Sequence, residues 1–151
     1  MSSSVYCEVI DLDHGNINLL TNYQNERTGT KDSEMGKFVR DDGKFVINYD
    51  IGAMAGIHMH QGKKDECIWY SQQFLGSYNN HHRFLYAGIM EKNGKKQMII
   101  SLNEVISNTL TISNDEVDAF TFPANFWADI TNENDVAELL LIAISYNPKS
   151  N

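Results

Sequence analysis

The stretch Gly52-Ala53-Met54-Ala55-Gly56-Ile57-His58-Met59-His60-Gln61-Gly62-Lys63-Lys64-Asp65-Glu66 decides how the rest of the chain is read. Two histidines stand two residues apart, a glycine lies six positions before the first, and a carboxylate pair follows the second. On a strand, residues i and i+2 point to one face, so His58 and His60 project side by side with Met59 opposite. Two adjacent imidazoles can serve as two metal ligands or as an acid–base pair. The glycine-rich run ahead of them lets the backbone bend into the strand.

Outward from this stretch the chain reads as short strands. Before it, residues 37–40 and 44–49 flank Asp41-Asp42-Gly43, a hairpin signal because these turn residues tolerate positive φ. After it, residues 66–70 read as a strand apolar on both faces, and so central. Residues 83–90 and 96–102 form a second hairpin around Asn93-Gly94, a type I′ pair. Residues 5–10 and 17–23 are the first strands. Residues 24–36 are polar and aperiodic and read as a surface loop, as do 74–82. One helical turn is expected over 103–108, and the last strands over 109–112, 117–122 and 137–145. About ten strands at 8–12-residue spacing, with no helical period sustained over three turns, indicate an all-β sandwich or barrel.

The 151 residues fit one domain, 1–151, with an ordinary globular composition. A net charge of −8 argues against nucleic acid and anionic membrane surfaces as partners, since both need a basic footprint. Two cysteines, Cys7 and Cys67, are too few for a disulfide scaffold and read as buried reduced thiols. The N-terminal residues carry neither a basic nor an apolar segment of the secretory kind, so a cytoplasmic location is expected. The longest apolar run, 139–144, is far shorter than a membrane span.

Further along, Pro123, Asn125, Ala128 and Asn132 fall at the spacing of Pro, Gly, His and Asn in the second signature of the cupin family. The opening stretch resembles the first: Gly52, five residues, His58, one residue, His60, then a carboxylate. Asp65 and Glu66 follow His60 at five and six positions, so one inserted residue puts Glu66 in the family's place. The two signatures and their linking strands span about 44–146. The resemblance implies a single-domain cupin-like double-stranded β-helix, a jelly-roll barrel. It also implies His58, His60 and Glu66 as ligands if a divalent metal is bound, whereas Ala128 stands where the family has its third histidine. Among cupins, the deoxysugar 3,4-ketoisomerases and 4-dehydrorhamnose 3,5-epimerases look most similar, through a Gly-Ile-His-type strand and a late Tyr-x-Pro, here Tyr146-Asn147-Pro148. Those enzymes need no metal, and the ketoisomerases use a histidine pair that His58 and His60 match. The epimerases carry an arginine where this chain has Ala55.

The expected function is therefore isomerisation or epimerisation of a nucleotide-linked keto sugar, with no cofactor. His58 and His60 would move protons near neutral pH and Tyr70 would supply a further acid. Trp69, Tyr86, Phe120 and Trp127 are the aromatic groups expected to line a ligand site. Two alternatives stand beside this: a metal-dependent, oxygenase-like cupin, and a cupin that only binds a small ligand. His81, His82 and His14 are expected in exposed loops or turns. Exposed barrel edges pair readily between subunits, so a homodimer is expected.

Overall fold

The structure is a computed structural model that describes residues 4–29, 33–52, 65–78, 81–106, 119–120 and 123–148. The described residues are mostly β-sheet, in two antiparallel sheets with one helix among them. A small sheet has the order β1-β2-β11, from β1 (Cys7–Asp11), β2 (Gly15–Leu20) and β11 (Asn147–Pro148). The large sheet runs β3-β4-β5-β10-β8-β7-β6. Its strands are β3 (Tyr23–Gly29), β4 (Glu34–Arg40), β5 (Val46–Ile51), β6 (Trp69–Tyr78), β7 (His81–Lys92), β8 (Lys95–Ile106) and β10 (Ala124–Ile130), with β9 (Ala119–Phe120) pairing β8. Among the described residues the strand path does not close into a barrel.

Both hairpins expected from turn chemistry are present. β4 and β5 pair antiparallel across the Asp41-Asp42-Gly43 turn, where Gly43 has φ 73°. β7 and β8 pair along twelve positions, and the turn places Asn93 at φ 56° and Gly94 at φ 77°, as a type I′ turn requires.

Opposite residues in an antiparallel ladder share a face, so the registers sort the large sheet into two sides. Phe38, Ile47, Tyr49, Ile51, Leu85, Ala87, Met98, Ile100, Leu102, Phe126 and Ala128 lie on one side and are buried there. Leu12, Ile17 and Leu19 of the small sheet and its entry turn join them in one core, with Leu139, Ile142 and Ala143 of the helix. The molecule is thus a sandwich: the large sheet is one layer, and the small sheet with the helix is the other.

The helix, α1 (Glu133–Ile144), corrects the strand expected over 137–145. Four consecutive apolar residues, Leu139 to Ile142, read as a buried strand, yet the buried positions are Asp135, Leu139, Ile142 and Ala143, which is helical spacing. The start is set by polar chemistry: Asn132 Oδ1 accepts from the Asp135 backbone N–H at 2.9 Å, and Asp135 Oδ2 accepts from the Thr131 N–H and hydroxyl at 2.9 Å. Asn132 is therefore a helix cap.

Other expectations are corrected as well. The polar stretch 24–36 contains β3 and the start of β4, because a strand at the rim of a sheet needs few apolar residues. Its apparent surface carboxylate, Glu34, is buried, ion-paired to Arg27 at 2.6 Å, and accepts from the Asp13 N–H at 2.9 Å. Residues 74–78 and 81–82 belong to the β6–β7 hairpin, which puts His82 in a strand and buries it. Residues 103–106 continue β8 and form no helical turn. Among the described residues β6 lies at the end of the sheet path instead of its centre. Cys7 is exposed and Cys67 half-buried. No described helix is long and apolar enough to cross a membrane.

Candidate functional site

The side of the large sheet away from the core is where chemistry gathers. One row across five strands reads Asp50, Asn125, Ser101, Tyr86, Gln72. A row beside it reads Asn48, Trp127, Ile99, Gly88, Tyr70, and on the other side Asn103 stands opposite Phe84, which stands opposite Phe74. Neighbouring strands are about 4.8 Å apart, so these side chains form one continuous surface, hereafter the polar face.

Its centre is buried: Asp50, Ile99, Ser101, Asn103 and Asn125 are all in that class. The Ser101 hydroxyl donates to Asn125 Oδ1 at 2.6 Å, which gives the oxygen of that fully buried side chain a partner. Asn103 differs. It is 4 % exposed, and neither its Oδ1 nor its Nδ2 has a hydrogen-bond partner. His82, on the same face one step along β7 from Phe84, shares a 2.6 Å hydrogen bond between Nδ1 and Ser77 Oγ. Its Nε2 is buried and unpaired. Leaving one buried polar atom unpaired costs about 1–3 kcal/mol, so three such atoms on two neighbouring side chains form a local departure from the rule that buried polar groups are bonded. Departures of that kind concentrate at functional sites.

Aromatic rings border the polar centre. Phe74, Phe84 and Tyr86 form a ladder with centroids 5.4 Å and 6.4 Å apart. Tyr70 sits diagonally from Tyr86, with Gly88 placing no side chain between Tyr70 and Ile99. Burial raises the Tyr70 hydroxyl pKa, and the neighbouring Tyr86 and Cys67 charges add to the shift. Burial alone raises that of Tyr86. Both phenols therefore stay protonated at neutral pH and act as hydrogen-bond donors.

The structure brings together three residues expected to act on a ligand: Tyr70, Tyr86 and Trp127 all lie on the polar face. Trp69 does not. It follows the opposite parity of β6 and is 46 % exposed on the core-side rim. Glu66 is exposed in the turn before β6. Phe120 pairs through its backbone with Val105. His58 and His60 lie outside the described residues. Ala128, where the family resemblance expects a histidine, faces the core opposite Met98 and not the polar face.

The two signature starts meet in space. The Gly52 N–H donates to the Pro123 carbonyl at 3.1 Å, one step beyond the Ile51–Ala124 pair. Gly52 has φ 138°, and a Cβ there would lie 3.1 Å from Ser33 Cα, so only glycine fits. β5 thus ends at Ile51, next to Asp50 at one end of the polar row, and Gly52 follows it.

Charge separates the two faces further. All three arginines of the chain, Arg27, Arg40 and Arg83, lie on the core-side parity of their strands. Arg27 pairs with Glu34, Arg40 with Asp42 and Glu138, and Arg83 donates to the Tyr146 carbonyl. The described lysines with polar-face parity are Lys37, exposed on β4, and Lys92 and Lys95 at the far hairpin end. The polar face therefore offers amides, hydroxyls, aromatic rings, the Asp50 carboxylate and the His82 imidazole, with no guanidinium.

Asp50, Ser101, Asn103, Asn125 and His82 were missed by reading the sequence for motifs. Their signal was a polar residue at every second position of an otherwise apolar strand, as in Ile99-Ile100-Ser101-Leu102-Asn103. Among the described residues no group of three His, Cys, Asp or Glu gathers to hold a metal, and Glu66 alone does not make such a site. The chain matches no protein-family model, no curated protein and no solved structure.

Proposed function

We propose that the polar face binds a small, neutral, hydroxyl-rich ligand of the sugar type. The observation that carries this is Asn103: a buried side-chain amide with both of its polar atoms unpaired, beside an aromatic ladder and the unpaired His82 Nε2. An amide offers one acceptor and two donor hydrogens, a match for vicinal hydroxyl groups. Aromatic rings cover the apolar faces of a sugar ring. With no arginine on this face, bidentate phosphate recognition lacks its usual side chain. A free sugar or polyol therefore fits better than a diphosphate-linked one.

Catalysis is a second reading, favoured by the exit of the first signature from β5 at Gly52, hydrogen-bonded to Pro123. In it the protein is a cupin-type isomerase in which His58 and His60 divide proton removal and return, while Tyr70 or Tyr86 donates to an enolate oxygen.

Thermal-shift titration tests the binding claim. Neutral hexoses and deoxyhexoses should raise the melting temperature in a saturable way. Nucleoside-diphosphate sugars should do so less, and Asn103→Leu should abolish the effect. Shifts that survive Asn103→Leu and Trp127→Ala together, or no shift with any sugar, refute it. Turnover of a keto sugar that is lost in His58→Asn and His60→Asn would add the catalytic reading.

A further inference from the structure

Ser77 and His82 stand opposite each other across the β6–β7 hairpin, on the polar face, and sugar binding as proposed above uses only the histidine. A β-bulge puts the serine there. Phe74 pairs with Phe84 and Gly76 with Arg83, so Leu75 is an extra residue in β6. Strict alternation from Phe74 would turn Ser77 to the core side. The bulge reverses that parity and needs φ 124° at Gly76, a conformation that suits glycine alone. Bulges re-aim side chains and are over-represented beside active sites.

The pair so formed is asymmetric. Ser77 is exposed, whereas His82 is 8 % exposed and its Nε2 has no hydrogen-bond partner. Ser77 Oγ and His82 Nδ1 are 2.6 Å apart. With the ring proton on Nε2, Nδ1 accepts from the hydroxyl, which is the contact between a nucleophile and its base. Asn103, whose Oδ1 is also unpaired, stands diagonally from His82 in the β7–β8 register, within reach of a long side chain.

We propose that Ser77 and His82 are a nucleophile and its general base for hydrolysis of a small carboxylic ester. Ser77 Oγ attacks the carbonyl carbon while its proton passes to His82 Nδ1. The C–O bond to the alcohol then breaks, the alcohol leaves with that proton, and the acyl group stays on Oγ. Water gives a proton to the same nitrogen as it attacks the acyl carbon; the carboxylic acid leaves and Oγ takes the proton back. Asn103 Oδ1 is the acceptor for Nε2–H while the ring is charged. Phe74 and Phe84, the next pair along the hairpin on this face, offer an apolar surface to the rest of the ester.

A fluorophosphonate probe, which esterifies an activated serine and releases fluoride, tests this without any sugar, so the outcome is separate from that of the sugar titration. Peptide mass spectrometry should find the adduct on Ser77, and p-nitrophenyl acetate should release nitrophenolate in a burst. Ser77→Ala should lose both with an unchanged circular-dichroism spectrum, and His82→Gln should slow labelling by about 100-fold. Should His82→Gln fail to fold, Ser77→Cys decides: its thiol should react with iodoacetamide faster than the exposed Cys7. A wild type without the adduct, labelling that persists in Ser77→Ala or is unchanged in folded His82→Gln, or a Ser77→Cys thiol no faster than Cys7 overturns the proposal.

Discussion

Replacing Asn103 by leucine should make the folded protein more stable, which is the reverse of what most buried substitutions do. Asn103 is 4 % exposed on β8, opposite Phe84, and both amide atoms lack partners. Its desolvation is therefore uncompensated, at a cost of about 1–3 kcal/mol. Leucine has a similar shape, removes that cost and adds apolar contact with the neighbouring ring. A gain of about 2 kcal/mol corresponds to a rise of roughly 4–8 °C in melting temperature for a chain of this size. Equilibrium unfolding in urea, followed by circular dichroism, measures it, and the midpoint should rise with an unchanged slope. The same variant should lose the sugar-induced shift. A variant destabilised by about 1 kcal/mol or more would refute the reasoning, because it would show that the wild-type amide is satisfied within the fold and its burial is structural.

Two further outcomes follow from the fold. Asn132→Ala removes the side chain that accepts from the Asp135 N–H at the start of α1, and should cost about 1 kcal/mol of stability by denaturant titration without changing the m-value. For alkaline pH, burial and then the Glu34 charge push the Tyr49 hydroxyl up to about 12 from 10.0. A folded-state pKa above the unfolded one gives stability that is complete below pH 10 and lost as pH rises toward 12, about 2–3 kcal/mol in all. Tyr49→Phe lacks that term. Its deficit, which comes from the lost 2.7 Å bond to Asn25 Oδ1, should narrow between pH 10 and 12, and a constant deficit across that range would contradict the assignment.

Turn chemistry made the hairpins legible. Asn93, Gly94 and Gly43 tolerate the positive φ their turns need, so the flanking strands could be placed without tertiary information. The helix was not legible by the same route. Its apolar run of Leu139 to Ile142 fits a buried strand as well as a helix, and the discriminating signal was the Asn132-to-Asp135 cap, absorbed instead into a family signature. β6 shows the opposite error. Residues 66–70, apolar on both faces, read as central, whereas Ile68 and Trp69 are exposed and β6 ends the sheet path among the described residues. Hydrophobicity reports which side chains are apolar and does not say where in the sheet order their strand lies.

The candidate site was half legible, for a reason that bears on how it works. Aromatic residues announce themselves by type, so Tyr70, Tyr86 and Trp127 could be named, and the registers put all three on one face. Trp69, equally aromatic, falls on the other side because strand parity decides and residue type does not. Asn103, Ser101 and Asn125 could not be named in isolation, since each is an ordinary polar residue until β7, β8 and β10 align them. Alignment also divides them: Ser101 donates to Asn125 Oδ1, and Asn103 is left without a hydrogen-bond partner. A sheet built only for stability would gain by giving Asn103 the partner that Asn125 has, or by making it apolar. That neither has happened, at a position opposite Phe84, is what the proposed sugar ligand would account for.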